Sequence, residues 1–177
     1  MRNYIYPIFS LVFLFSGCVP GENSPPAVSQ DVEERVEYLK YDLSSGGLPL
    51  ALLVEPGETP SLTATWNSAF GRMEVSDKRD MSIFISEDTL SCKTKMEEIE
   101  SGIFQVSYII NTDSLIFYKT TLPDGHTPYW HFFASFPING VNYVFENNPI
   151  IECTEKQIEA MTKIVGHISS TNNLISE

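Results

Sequence analysis

"TPYWHFFASFPINGVNYVF" (Thr127–Phe145) is two runs of alternating bulky residues joined by Asn139-Gly140. Both central residues of a type I′ turn need positive φ, and Asn-Gly adopts that conformation at least cost. The first run therefore folds back on the second as a hairpin. A period of two places Trp130, Phe132, Ala134 and Phe136 on one face, and Val141, Tyr143 and Phe145 on one face of the partner strand. Tyr129, His131 and Phe133 share the opposite face of the first strand. A strand apolar on both faces suits a sheet covered on both sides. If helices cover one side only, Tyr129, His131 and Phe133 expose aromatic surface suited to a glycan, a peptide or a partner.

Upstream, Phe104, Val106, Tyr108 and Ile110 alternate in "IFQVSYII", "NTDS" turns the chain, and "LIFYKT" returns as a strand. Leu90–Ser101 changes period. Cys92, Met96 and Ile99 fall on one helical face, Glu97, Glu98 and Glu100 on the other, and Gly102 is a natural stop. Phe70–Val75 and Met81–Ser86 read as strands around the polar loop "VSDKRD". Leu48–Val54 is an apolar run between Gly46-Gly47 and Pro56-Gly57, a buried strand. Asp31–Leu43 fits a helix through Val32, Val36, Leu39 and Leu43, or a strand through Leu39, Tyr41 and Leu43. A short helix or turn leading into a strand is the favoured reading.

Downstream, "TEKQ" is a capping box with Thr154 at the N-cap and Gln157 at N3. Ile158, Met161, Val165 and Ile168 then form the apolar stripe of a terminal helix. "SSTNNLISE" reads as a fraying end, with 171–177 as the loose tail. The expectation is one α+β domain over 31–170: an antiparallel sheet built from hairpins, covered by an internal helix and a C-terminal helix. This element order resembles the PsbP and Mog1 family of α/β/α sandwiches over roughly Tyr41 to Ile168, and also uncharacterised envelope lipoproteins of the same layout. That fold carries no single function.

The N-terminus supplies an address. Met1-Arg2-Asn3 precedes about a dozen mostly apolar residues, "YIYPIFSLVFLF", too few for a span that needs ~20. A charged start, a short apolar middle and a small-residue exit make a secretory signal over 1–17. The exit, Ser16-Gly17-Cys18, resembles the lipobox of bacterial lipoproteins, with Phe15 where leucine is usual and Leu14 one place earlier. The resemblance implies a diacylglycerol on the Cys18 thiol, cleavage before Cys18, and acylation of the new amine. Residues 18–30, "CVPGENSPPAVSQ", then form a lipidated flexible tether. Two or more acyl chains anchor stably where one does not. Val19 stands where an aspartate would retain the protein at the inner membrane in the enteric sorting rule, which favours the outer membrane.

Composition bounds the partners. Removing 1–17 leaves 160 residues with 10 basic and 23 acidic side chains. A formal charge of −13 repels nucleic acid and anionic headgroups. Attachment must then come from the lipid, with the bilayer as the first partner and an envelope protein as the second. Eleven Phe, eight Tyr and two Trp support a packed core. Cys92 and Cys153 remain as an even pair in an exported chain, either bridged or buried as free thiols.

Catalytic signals are sparse. His126 and His131 lie near Asp124, and two His with a carboxylate can hold zinc; otherwise they are a loop His and a strand His. A pairing of Cys92 or Cys153 with His167 has no local mark of activation. "DTL" (Asp88–Leu90) and "DSL" (Asp113–Leu115) resemble an O-glycosylation sequon of some Gram-negative envelope bacteria. Neither a phosphate loop nor a dinucleotide glycine motif is found, and no cofactor is expected. The expected role is non-catalytic: an envelope lipoprotein that binds a partner or supports an assembly. The alternative is a small ligand or glycan held between sheet and helices, favoured by a pocket with aromatic walls and convergent polar groups. Cys18→Ala is expected to release the protein from the membrane fraction. Sedimentation in high salt checks this, since continued attachment contradicts the lipid anchor.

Overall fold

The computed structural model describes residues 38–55, 61–78, 81–125 and 127–171. Cys18, the segment expected to form its tether and His126 lie outside the described residues, as do 172–177. In chain order the strands are β1 (Leu39–Asp42), β2 (Leu50–Val54), β3 (Thr63–Asn67), β4 (Arg72–Ser76) and β5 (Ser82–Glu87). Helix α1 (Cys92–Glu100) precedes β6 (Gln105–Asn111), β7 (Leu115–Thr121), β8 (Tyr129–Ile138) and β9 (Val141–Asn147). Helix α2 (Glu155–Gly166) and β10 (Ile168–Ser170) follow. This is the α+β hairpin architecture expected, but with two sheets. Seven strands pair in the order β3-β4-β5-β9-β8-β7-β6, and three in the order β1-β2-β10. Every pairing is antiparallel.

The β8–β9 hairpin forms as read. Asn139 and Gly140 take φ of 52° and 82°, and Ile138 pairs directly with Val141. Phe136 then opposes Tyr143, and Ala134 opposes Phe145. One face of this sheet carries Phe117, Phe132, Ala134, Tyr143 and Phe145 into the main core. Ile158, Met161, Ile164 and Val165 of α2 and Leu50, Leu52 and Val54 of β2 pack into the same cluster. The opposite face carries Ile116, Tyr118, Phe133 and Val144, and meets Cys92, Met96 and Ile99 of α1. The large sheet is thus a middle layer, with α1 on one side and α2 plus the small sheet on the other. Where α1 does not reach, the Arg72 guanidinium lies 3.5 Å from the centre of the Phe84 ring and covers it.

Local chemistry sets the helix ends. The Ser91 hydroxyl accepts the Thr94 N–H to start α1, and Ser101-Gly102 ends it. Thr154 and Gln157 complete the capping box of α2: the Thr154 hydroxyl accepts the Gln157 N–H, and the Gln157 carbonyl accepts the Thr154 N–H at 2.7 Å.

Three local outcomes depart from the sequence expectation. Ile168 lies on β10 and not on the terminal helix: α2 ends at Gly166, and Ile168 and Ser170 pair with Leu52 and Leu50. The Ile-Ser-Ser-Thr stretch has weak helix propensity, and the open edge of β2 offers backbone partners. Ser169 and Ser170 are therefore ordered, and the Thr171 N–H donates to the Pro49 carbonyl. Ile110 does not share the face of Val106 and Tyr108, because a bulge between Tyr108 and Ile110 shifts the register and turns Ile110 toward the main core. Thr63–Asn67 forms β3, an edge strand whose mixed, mostly exposed residues carry little hydrophobic signal. The strand expected at the end of Asp31–Leu43 forms as Leu39–Asp42, with Tyr41 opposite Leu52, while the helix or turn expected before it falls in 31–37, outside the described residues.

Phe145→Ala empties the centre of the main core and is expected to cost about 3–5 kcal/mol. Thr154→Ala removes one cap and is expected to cost about 1 kcal/mol. Urea unfolding followed by circular dichroism separates the two; equal costs would contradict the core assignment.

Candidate functional site

A length mismatch creates the site. Helix α1 has nine residues and spans about 13 Å. It covers Ile116, Phe133 and Val144, but β7 and β8 run on beyond its C-terminal end. There, Tyr118 and Thr120 of β7 and Tyr129 and His131 of β8 floor a groove of about 510 Å³. Glu98, Ile99, Gly102 and Phe104 form the helix-side wall, and Leu122 closes the end. The lining residues Phe104, Leu122 and Tyr129 are exposed, as is Ile103 between Gly102 and Phe104 in the chain.

The polar groups converge on the floor. His131 Nε2 and Thr120 Oγ1 are 3.4 Å apart, a weak hydrogen bond whose direction depends on the imidazole tautomer. The His131 ring packs on Tyr118 with centroids 5.2 Å apart. Burial, with Lys95 nearby, pushes the His131 pKa down, so the ring is neutral near pH 7. Burial, reinforced by the Glu146 carboxylate, raises the Tyr118 pKa, so its phenol stays protonated. Next to it, the Tyr108 hydroxyl donates to Glu100 Oε1 at 3.1 Å. Burial and that carboxylate push the Tyr108 pKa up to about 12. At the rim, Lys95 Nζ and Glu98 Oε2 pair at 3.2 Å. The groove therefore offers an aromatic and aliphatic lining with a neutral imidazole and the hydroxyls of Tyr118, Thr120 and Tyr129, which can donate or accept. This arrangement can orient a bound molecule.

The other candidates do not join it. Asp124 is exposed in the β7–β8 loop, His131 is occupied by Thr120 and Tyr118, and His126 lies outside the described residues. Among the described residues no group of three His, Cys, Asp or Glu side chains is placed to hold a metal ion. Cys92 and Cys153 are free and buried, so the bridge that the sequence allowed is not formed. They belong to separate clusters on opposite faces of the large sheet, which holds them apart. Burial raises both thiol pKa values, that of Cys92 to about 11, and neither is an activated nucleophile. His167 packs instead on the Tyr38 ring, 4.9 Å between centroids. Thr89 and Ser114, the hydroxyl residues of "DTL" and "DSL", both lie in loops, Thr89 exposed and Ser114 partly buried.

Sequence reasoning placed Tyr129, His131 and Phe133 on one face but did not single out Thr120, Leu122, Phe104 or Glu98. The available signal was the short helical period of α1 set against the long strands beside it. Comparison with protein-family models, curated proteins and solved structures finds no match to this chain.

Two measurements follow. In the folded protein without reductant, Cys92 and Cys153 are expected to resist a thiol reagent at pH 7.5 and both to react after unfolding in urea. Absorbance counting of released reagent checks this, and a missing thiol after unfolding would contradict the free assignment. Because the folded pKa of His131 is depressed, the unfolded chain binds its proton first. Stability is expected to fall as pH drops below about 6.5, the ordinary histidine value, and His131→Gln to reduce that loss. Melting temperatures of both proteins between pH 8 and 5 check the sign; parallel curves would contradict it.

Proposed function

We propose that this chain is an envelope lipoprotein, anchored by acyl chains on Cys18, whose folded domain binds a small ligand in the groove beside α1. The outer membrane is the favoured location, on the strength of Val19 following the cysteine. The observation that carries the binding reading is the groove: about 510 Å³, lined by Phe104, Tyr118, Tyr129 and Leu122, with His131 and Thr120 paired on its floor. That size and lining match small-molecule sites, which are mostly apolar with a few placed polar groups.

Binding fits better than catalysis. The neutral imidazole faces a hydroxyl and a ring, and the buried thiols are held protonated. Among the described residues no helix is long and apolar enough to cross a membrane, which is compatible with a lipid anchor. A second reading draws on the exposed apolar rim of Ile103, Phe104, Leu122 and Tyr129. In that reading a side chain of an envelope partner fills the groove, and the lipoprotein supports an assembly.

Leu122→Trp places an indole in the groove while changing an exposed residue. Protein purified gently from native membranes is expected to carry a small molecule detectable by native mass spectrometry, and Leu122→Trp to lose it with an unchanged melting temperature. No bound molecule on the wild type, together with no groove-localised shifts in an NMR fragment screen, would contradict the proposal.

A further inference from the structure

The groove also selects the charge of what enters it, an inference that rests on the binding reading above. Among the described residues that line the groove, Glu98 alone carries a formal charge, since burial keeps the His131 imidazole neutral. Phe104, Tyr118 and Tyr129 bring three aromatic rings to the same space. The face of an aromatic ring is electrically negative, and rings grouped around an apolar space attract diffuse cations. A cation of this kind, with its charge spread over an alkylated head, is weakly hydrated and enters such a space at small cost.

The surroundings reinforce that preference. Glu100 sits beside the groove on the Tyr108 hydroxyl, and Glu146 lies close enough to Tyr118 to shift its phenol. The chain as a whole carries a formal charge of −12. Lys95 is the opposing charge, 3.2 Å from Glu98. Lys95 is largely covered and Glu98 largely exposed, so an entering cation reaches the Glu98 carboxylate from its solvent side. A carboxylate or phosphate ligand, by contrast, meets Glu98 at the wall and, among the described lining residues, no cation.

We propose that the groove binds a small organic cation with an apolar body, its charged head seated between Glu98 and the rings of Phe104, Tyr118 and Tyr129.

Calorimetry on the mature lipoprotein in dodecylmaltoside micelles tests this with three probes of related shape: benzyltrimethylammonium, benzyl alcohol and phenylacetate. The cation is expected to bind about tenfold more tightly than the alcohol, and phenylacetate not at all. Glu98→Gln is expected to erase the advantage of the cation and leave the alcohol unchanged, which a general loss of fold would not do. Lys95→Met, which frees Glu98, is expected to tighten the cation further. Benzyl alcohol binding as well as the cation, with Glu98→Gln neutral for both, would overturn the charge preference and leave the groove reading standing. Failure of all three probes, with the protein folded, would remove both.

Discussion

Strand β8 is packed on both faces, and two different covers satisfy it. Phe132 and Ala134 point into a core shared with α2 and the small sheet, while Phe133 points under α1. Leaving either face wet would expose several large apolar side chains, each worth roughly 1.5–3 kcal/mol when buried. The two covers are unequal. A twelve-residue helix and a three-stranded sheet close one side, and a nine-residue helix closes part of the other. The groove is the uncovered remainder. It follows from the same demand that builds the fold, with the strands longer than the helix assigned to them.

The hairpin, both helices and the N-cap of α2 were legible because each rests on local chemistry. Asn139-Gly140 specifies its turn without help from the rest of the chain, and Thr154 with Gln157 specifies a helix start. The inward faces of β8 and β9 followed from alternation. What escaped depended on distant partners. Ile168 continues a helical stripe by spacing, yet the unpaired edge of β2 draws it into a strand. Ile110 continues the alternation of β6, yet a bulge turns it to the other face. Thr63–Asn67 has little pattern because an edge strand buries little.

For the site, alternation along β8 marked part of the floor. It placed Tyr129 and His131 on a common face and posed the choice between covered and exposed. Thr120 and Leu122 come from a neighbouring strand, and Phe104 and Glu98 from the far end of a helix. Only the pairing of β7 with β8, His131 opposite Tyr118, brings them together. The two cysteines teach the same lesson: an even count allowed a bridge, and the sheet placed them on opposite sides. In the proposed reading the segment before the domain fixes where the protein works, and the domain what it holds.

Hydrogen exchange on protein taken from native membranes, compared with the same chain unfolded and refolded in clean buffer, tests the occupied groove most directly. The account predicts slower exchange in the native material at residues 99–104 and 118–122, with equal exchange at the β8–β9 hairpin turn. Identical protection across both samples, with the fold intact in each, would contradict it.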